Sequence, residues 1–266
     1  LIDVDTLQAM LCERDSDLLR LIHVADGQAF QQQHIPGAIH VAPAELVSGT
    51  PPASGKLPDV GRLNALFSRL GYKRACRFVL YDDEGGGWAG RFAWTLDMIG
   101  HRSWQYLDGG IHAWIAAGEV TETGAGYHPR PTEVSIQLDP APRATLDDVR
   151  DAIDDPNQQI WDVRSREEYT GERSGSSRAG HIPGAVNLDW LALKDPHNQQ
   201  RLYENLPQLL QNHGIDLNRR LITHCQTHHR SGLSYMVARL LDCQSIRAYD
   251  GSWSEWGNQT DTPIAT

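Results

Sequence analysis

Six consecutive residues carry the types and spacing from which chemistry could arise: Cys225-Gln226-Thr227-His228-His229-Arg230, a cysteine and an arginine enclosing four polar side chains. Leu221-Ile222-Thr223, just before them, is a short apolar, β-prone run that reads as the tail of a buried strand. From Ser231 to Leu241, residues Leu233, Met236, Val237, Leu240 and Leu241 fall at helical spacing. A strand that passes through a tight loop into a helix aims the loop N–H groups and the positive end of the helix dipole at one point. A cysteine sulfur at that point is favoured as thiolate, which is a nucleophile. The structural alternative is a buried, inert cysteine, a common core residue. The polar flanks and the strand-to-helix turn favour the reactive reading.

Composition narrows the partners. The chain has 266 residues, 40% hydrophobic and 22% charged, as an ordinary globular protein does. Its net charge of -10 argues against nucleic acid or an anionic membrane surface as partner. A small anion can still be held by local positive character, which the loop at Cys225 supplies. No apolar run approaches a membrane span, and no secretory leader is recognised at the start. Cys12, Cys76, Cys225 and Cys243 form no Cys-x-x-Cys pair and no metal-ligand spacing. Four cysteines in this length are too sparse for a disulfide scaffold, so a reducing cytoplasm is expected.

The elements that must position the loop occur twice. In the first half the pattern predicts a helix at 4–11, a strand at 18–24 and a turn at His34-Ile35-Pro36-Gly37-Ala38, followed by Ile39-His40-Val41. A Pro/Gly/Ser-rich loop at 47–58, a helix at 60–70, a strand at 77–81, a helix at 88–99, a strand at 104–107 and a helix at 111–117 follow. The second half repeats the order, with helices at 146–153, 202–213 and 231–241, strands at 159–163 and 246–249, and a last short helix at 253–256. His181-Ile182-Pro183-Gly184-Ala185 repeats the earlier turn letter for letter at an offset of 147, and Asp250-Gly251 repeats Asp108-Gly109 at an offset of 142. Duplicated segments of about 120 residues are too long for a solenoid and mean two like domains. Strand–helix alternation gives each an α/β fold with a mainly parallel sheet flanked by helices. The expected boundaries are 1–124 and 144–266, joined by a proline-rich linker at 125–143 in which Thr132–Leu138 alternates like an extended strand. Shifting Cys225 back by 142 lands on Asp83, in the acidic, glycine-rich loop Asp82–Gly87. An aspartate there repels anions and forms no persulfide, so the first domain is expected to be non-catalytic.

A cysteine loop that ends in arginine serves two chemistries. Phosphatases separate the two residues by five, and the wide cradle holds phosphate. Here four residues intervene, and the tighter ring of N–H donors suits one sulfur atom carried on cysteine. His224-Cys225 does echo the phosphatase pattern, so that alternative stays open.

The chain resembles the tandem-domain rhodaneses, a family of sulfurtransferases. The resemblance spans nearly the whole chain and rests on the two His-Ile-Pro-Gly-Ala turns, on Trp161-Asp162-Val163-Arg164, on the six-residue loop at Cys225, and on Asp250-Gly251 with Trp253. It implies two tandem rhodanese-like domains and thiosulfate:cyanide sulfurtransferase activity through a Cys225 persulfide. It also implies that Arg230 binds the anionic substrate, that Gln226, Thr227, His228 and His229 make the active-site loop, and that the first domain walls the site. Partners would be thiosulfate as donor and cyanide or a thiol as acceptor. No metal or organic cofactor is implied, and a monomer is expected. Alternatives are a mercaptopyruvate sulfurtransferase, a carrier handing sulfur to a protein, and a Cys-dependent phosphatase.

The chain departs from animal rhodaneses in carrying neutral Gln226 and Thr227 after the cysteine, and Glu168 stands where relatives often place a substrate-gripping arginine. Mercaptopyruvate needs a partner for its carboxylate, and Arg178, in the Ser/Gly-rich insertion 171–179, is the candidate. That insertion reads as a flexible surface loop. Arg164 reads as one half of an ion pair with Asp162 or Glu167, and the tryptophans read as packing.

Overall fold

The computed structural model describes residues 1–12 and 18–266. The first repeat runs α1 (Val4–Cys12), β1 (Leu19–Val24), α2 (Gly27–Gln32), β2 (Ile39–Val41), α3 (Val60–Arg69), β3 (Arg77–Tyr81), α4 (Gly87–Met98), β4 (Trp104–Tyr106) and α5 (Gly110–Ala116). The second runs β5 (Arg143–Ala144), α6 (Leu146–Ile153), β6 (Gln158–Asp162), α7 (Arg166–Thr170), β7 (Val186–Asn187), β8 (Lys194–Asp195), β9 (Arg201–Leu202), α8 (Leu206–Asn212), β10 (Arg220–His224), α9 (Arg230–Leu240), β11 (Arg247–Tyr249) and α10 (Ser252–Trp256).

Each repeat builds a parallel sheet, in the order β2-β1-β3-β4 in one and β5-β11-β10-β6-β7 in the other. Helices cover both faces of such a sheet, so its central strands are buried on both sides. Every residue of β1 is buried, as is every residue of β3 and β10 beyond the first. One core gathers Leu7, Leu21, Phe30, Val79 and Trp114, and the other Val149, Ile160, Ile222, Trp253 and Trp256. Among the described residues, no helix is long and apolar enough to cross a membrane.

The chain divides into two units that do not follow the repeat boundary. One comprises Leu1–Leu46, Pro58–Asp139 and Asp195–Leu202, the other Val47–Leu57, Pro140–Lys194 and Tyr203–Thr266. Each repeat thus gives an arm to the other unit. The two turn aspartates hold these arms: Leu57 N donates to Asp250 Oδ2 at 2.9 Å, and Leu202 N donates to Asp108 Oδ1 at 2.9 Å.

Three expectations are corrected. Thr132–Leu138 is not a strand, because its polar backbone is taken by neighbouring helix residues: Thr132 N donates to Ser68 O at 3.1 Å and Ile136 N to Asn64 Oδ1 at 2.9 Å. The helix expected from Leu202 begins at Leu206, since Arg201–Leu202 is drawn into β9 and a proline opens the helix. The insertion 171–179 is pinned down: Ser176 Oγ donates to Trp253 O at 3.0 Å, and Arg178 Nη1 donates to Thr262 O at 2.9 Å.

Candidate active site

β10 delivers Cys225 to the C-terminal edge of its sheet, and α9 starts at Arg230, which is therefore the first residue of the helix. The loop between them is fixed from behind. Trp253 N and Ser254 N, in the first turn of α10, donate to the carbonyls of Cys225 and Gln226 at 2.9 Å each. Ser252 Oγ accepts from Cys225 N at 3.4 Å, and Gln226 Nε2 donates to Ser176 Oγ at 3.1 Å. The arm Val47–Leu57 reaches the same loop. A Cβ built on Gly55 would lie 1.9 Å from Thr227 O, so only glycine lets the two backbones approach this closely.

Cys225 is buried, and Ser231 Oγ donates to its Sγ at 3.5 Å. Burial alone pushes the thiol up. The Arg230 guanidinium, the Ser231 hydroxyl and N–H, and the Thr227 N–H together outweigh that and hold it below the ordinary value. His228 is fully buried, with Nδ1 2.8 Å from Ser231 Oγ, whereas His229 is half-buried and lies with its ring 5.6 Å from Trp190.

Arg230 does not face the site as a lone cation. Its Nη1 and Nη2 donate to the two oxygens of Glu168 at 2.6 and 2.9 Å, a bidentate pair. Burial pushes the Glu168 carboxyl up, but Arg230 outweighs it and keeps the carboxyl below its usual value. Ser165-Arg-Glu-Glu168 is a capping box that starts α7 and brings Glu168 to this place, a pattern visible in the sequence. Arg164 is an ion-pair residue: it is buried, donates to Asp162 at 2.6 to 3.1 Å and lies 4.3 Å over Trp253. Arg178 is committed to the carbonyls of Trp256 and Thr262 and does not serve as a carboxylate grip at the mouth.

The loop of the first repeat shows what the cysteine replaces. β3 and β10 both have five residues, and five residues separate each strand from the helix that follows, α4 or α9. That register puts Asp82, not Asp83, at the position of Cys225. The one-residue error arises because Leu107 stands between Tyr106 and Asp108, with no counterpart between Tyr249 and Asp250. Asp82 is buried and fills its own loop: Oδ1 accepts from Gly86 N at 2.8 Å and from Glu84 N at 3.2 Å, and Oδ2 from Ala89 N at 2.9 Å. Glu84 N, which the same register matches to Thr227 N beside the sulfur, here closes on a carboxylate.

Comparison with known proteins bears on the two repeats. The rhodanese-like domain model matches residues 3–117 and again 145–259. The chain is 42% identical over 248 residues to a thiosulfate sulfurtransferase of Pseudomonas aeruginosa, covering 92% of this chain and 90% of the relative. It is 41% identical over 246 residues to a thiosulfate sulfurtransferase of Azotobacter vinelandii, with the same coverage of 92% and 90%. It is also 34% identical over 213 residues to the sulfur carrier protein TtuD of Thermus thermophilus, covering 75% and 74%. In fold it is similar to the anaerobic ergothioneine biosynthesis enzyme of Chlorobium limicola, with a TM-score of 0.88 at 21% identity, over 100% of this chain and 70% of that one. Two rhodanese-like domains in one chain, matched in sequence and built as two parallel sheets, place this protein in the rhodanese family.

Proposed function

We propose that the chain is a thiosulfate sulfurtransferase that works through a persulfide on Cys225. The observation that carries this reading is the Cys225 sulfur itself: buried at a strand-to-helix turn, with its thiol held low by Arg230, Ser231 and Thr227. The thiolate attacks the outer sulfur of thiosulfate. A sulfur–sulfur bond forms to Sγ, the bond to the sulfite sulfur breaks with its electron pair, and sulfite leaves as a dianion. The persulfide retains one negative charge on its outer sulfur. Cyanide attacks that sulfur, thiocyanate departs, and Cys225 returns as thiolate. The loop N–H groups and the α9 terminus face negative charge in every state, so no protonation step is needed.

Two features support thiosulfate over mercaptopyruvate. Arg178 is engaged with backbone, and Arg230 is already matched to a carboxylate, Glu168. A cytoplasmic setting suits the four cysteines, all of which are free thiols. The test is the mass of the purified chain. Thiosulfate should add one sulfur, about 32 Da as an atomic mass, and cyanide should remove it as thiocyanate. Cys225→Ala should do neither while keeping its circular dichroism. Labelling of Cys243 in that variant would overturn the assignment. A persulfide that forms on Cys225 but passes to no small acceptor would favour a carrier instead.

A further inference from the structure

We infer that Cys225, Ser231 and His228 form one hydrogen-bonded chain, in which His228 is a positioning residue that directs the Ser231 hydroxyl proton onto the reacting sulfur. Ser231 Oγ lies 3.5 Å from Cys225 Sγ and 2.8 Å from His228 Nδ1. A serine hydroxyl has one proton and two lone pairs. If that proton is given to the sulfur, the imidazole must be the donor at Nδ1, and Oγ must accept from it. His228 Nδ1–H donating to Ser231 Oγ leaves the hydroxyl one use for its proton, which is Sγ. All three residues are buried, His228 and Ser231 fully, so the chain lies where a hydrogen bond to charge counts most.

The repeat supplies a second observation. With β3 and β10 in register, His228 corresponds to Gly85 and Ser231 to Trp88. The backbone takes positive φ at both, +82° at Gly85 and +56° at His228. Where Asp82 replaces the cysteine, the position holds glycine, as a left-handed conformation ordinarily favours, and the hydroxyl is absent as well. Where the cysteine is present, an imidazole is kept at a left-handed position and a hydroxyl stands within reach of it. The chain acts twice in the cycle. It steadies the attacking thiolate, and it steadies Sγ again when the acceptor takes the outer sulfur and Cys225 departs as thiolate. This second part rests on the sulfur-transfer reading above; the hydrogen-bonded chain does not.

The test reads the Cys225 thiolate without any sulfur donor. Alkylation by iodoacetamide is followed against pH, with Cys225 resolved by peptide mass spectrometry, alongside thiolate absorbance. Other charged groups near the sulfur are Arg230 with Glu168 and Asp189, and His224 with Asp162 and Arg164. All of them stay in place in every variant. Ser231→Ala is expected to raise the Cys225 midpoint by about one pH unit, a tenfold loss of thiolate below it. His228→Gly, which keeps the backbone conformation, should raise it in the same direction. The double variant should go no further than Ser231→Ala alone. His228→Asn, which tolerates positive φ and retains an N–H donor, should stay near the wild type. An unchanged midpoint in His228→Gly or in Ser231→Ala would overturn the chain. So would additive shifts, or a His228→Asn variant that behaves as His228→Gly does. A wild-type protein that alkylates as expected yet takes no sulfur from thiosulfate would refute the proposed function and leave this inference standing.

Discussion

Arg230 is pulled in two directions, and the balance sets the charge at the sulfur. Its cation lowers the Cys225 thiol, while Glu168, almost wholly buried, cancels part of that cation from the other side. Removing either partner therefore has opposite electrostatic effects. Glu168→Gln keeps an acceptor for the guanidinium but removes the negative charge, so the Cys225 midpoint should fall and KM for thiosulfate should drop. Arg230→Ala strips the counter-cation from a buried carboxylate, which should cost about 3 kcal/mol of stability. It should also lower kcat/KM for thiosulfate by about tenfold or more, through the loss of a charged donor. Urea unfolding and steady-state kinetics with thiosulfate check both variants. A tighter KM in Arg230→Ala would mean that the loop N–H groups hold the anion without it.

At the scale of elements, the Cys225 loop is held by pieces that are distant in sequence. The first turn of α10 binds two of its carbonyls, Ser176 of the insertion binds Gln226, and Gly55 of the arm presses on Thr227. Gly55→Ala would put a methyl carbon 1.9 Å from a backbone oxygen, with the Thr227 carbonyl carbon at 2.5 Å, and neither atom is the end of a flexible side chain. The loop must shift, so the variant should lose kcat and about 1–3 kcal/mol of stability, as overpacking does. Thermal unfolding together with a thiocyanate assay would test this, and an unaltered kcat would show that the loop does not depend on the arm. The strand–loop–helix unit at Cys225 was legible in the sequence because apolar periodicity changes from strand to helix across six polar residues. The supports were not, since Gly55 and Ser176 lie in loops with no periodicity to read and Ser252 opens a helix of only five residues. α2 leaves little trace in the sequence for a related reason: it has six residues and one buried side chain, Phe30, although Asp26 marks its start by accepting from Gln28 N at 2.8 Å. Thr132–Leu138 alternates without being a strand, because alternation signals one only if a neighbouring strand takes the hydrogen bonds. The bidentate Glu168–Arg230 pair joins residues 62 apart, which no local pattern encodes.

Across the whole molecule, equivalent strand ends carry different chemistry in the two repeats. β10 pairs His224 with Asp162, and Asp162 also holds Arg164, so that sheet ends in a buried ionic network. β3 pairs Tyr81 with His23, whose rings stack at 4.3 Å, and the corresponding place is neutral. His23 is buried, and among the described residues its two ring nitrogens make no hydrogen bond. Burial, with smaller repulsion from His40 and His34, lowers its pKa to about 3 from 6.5. A folded-state value this far below the unfolded one means that between these limits the unfolded chain binds a proton that the folded chain does not. The stability is then complete above about pH 6.5 and is lost as pH falls toward 3, at about 1.4 kcal/mol per pH unit from this group. His224 is shifted in the same direction, chiefly by burial, so the second sheet also weakens in acid. Hydrogen exchange separates the two, because it reads each sheet by itself. Corrected for intrinsic rates, protection of Leu19–Val24 and Arg77–Tyr81 should fall by about 2 kcal/mol between pH 6.5 and 5. In His23→Phe, which keeps a ring against Tyr81, that loss should largely disappear from β1 and β3, while β6 and β10 keep their wild-type pH dependence. The same slope in β1 and β3 with and without the imidazole would show that His23 is not the origin of their sensitivity to acid.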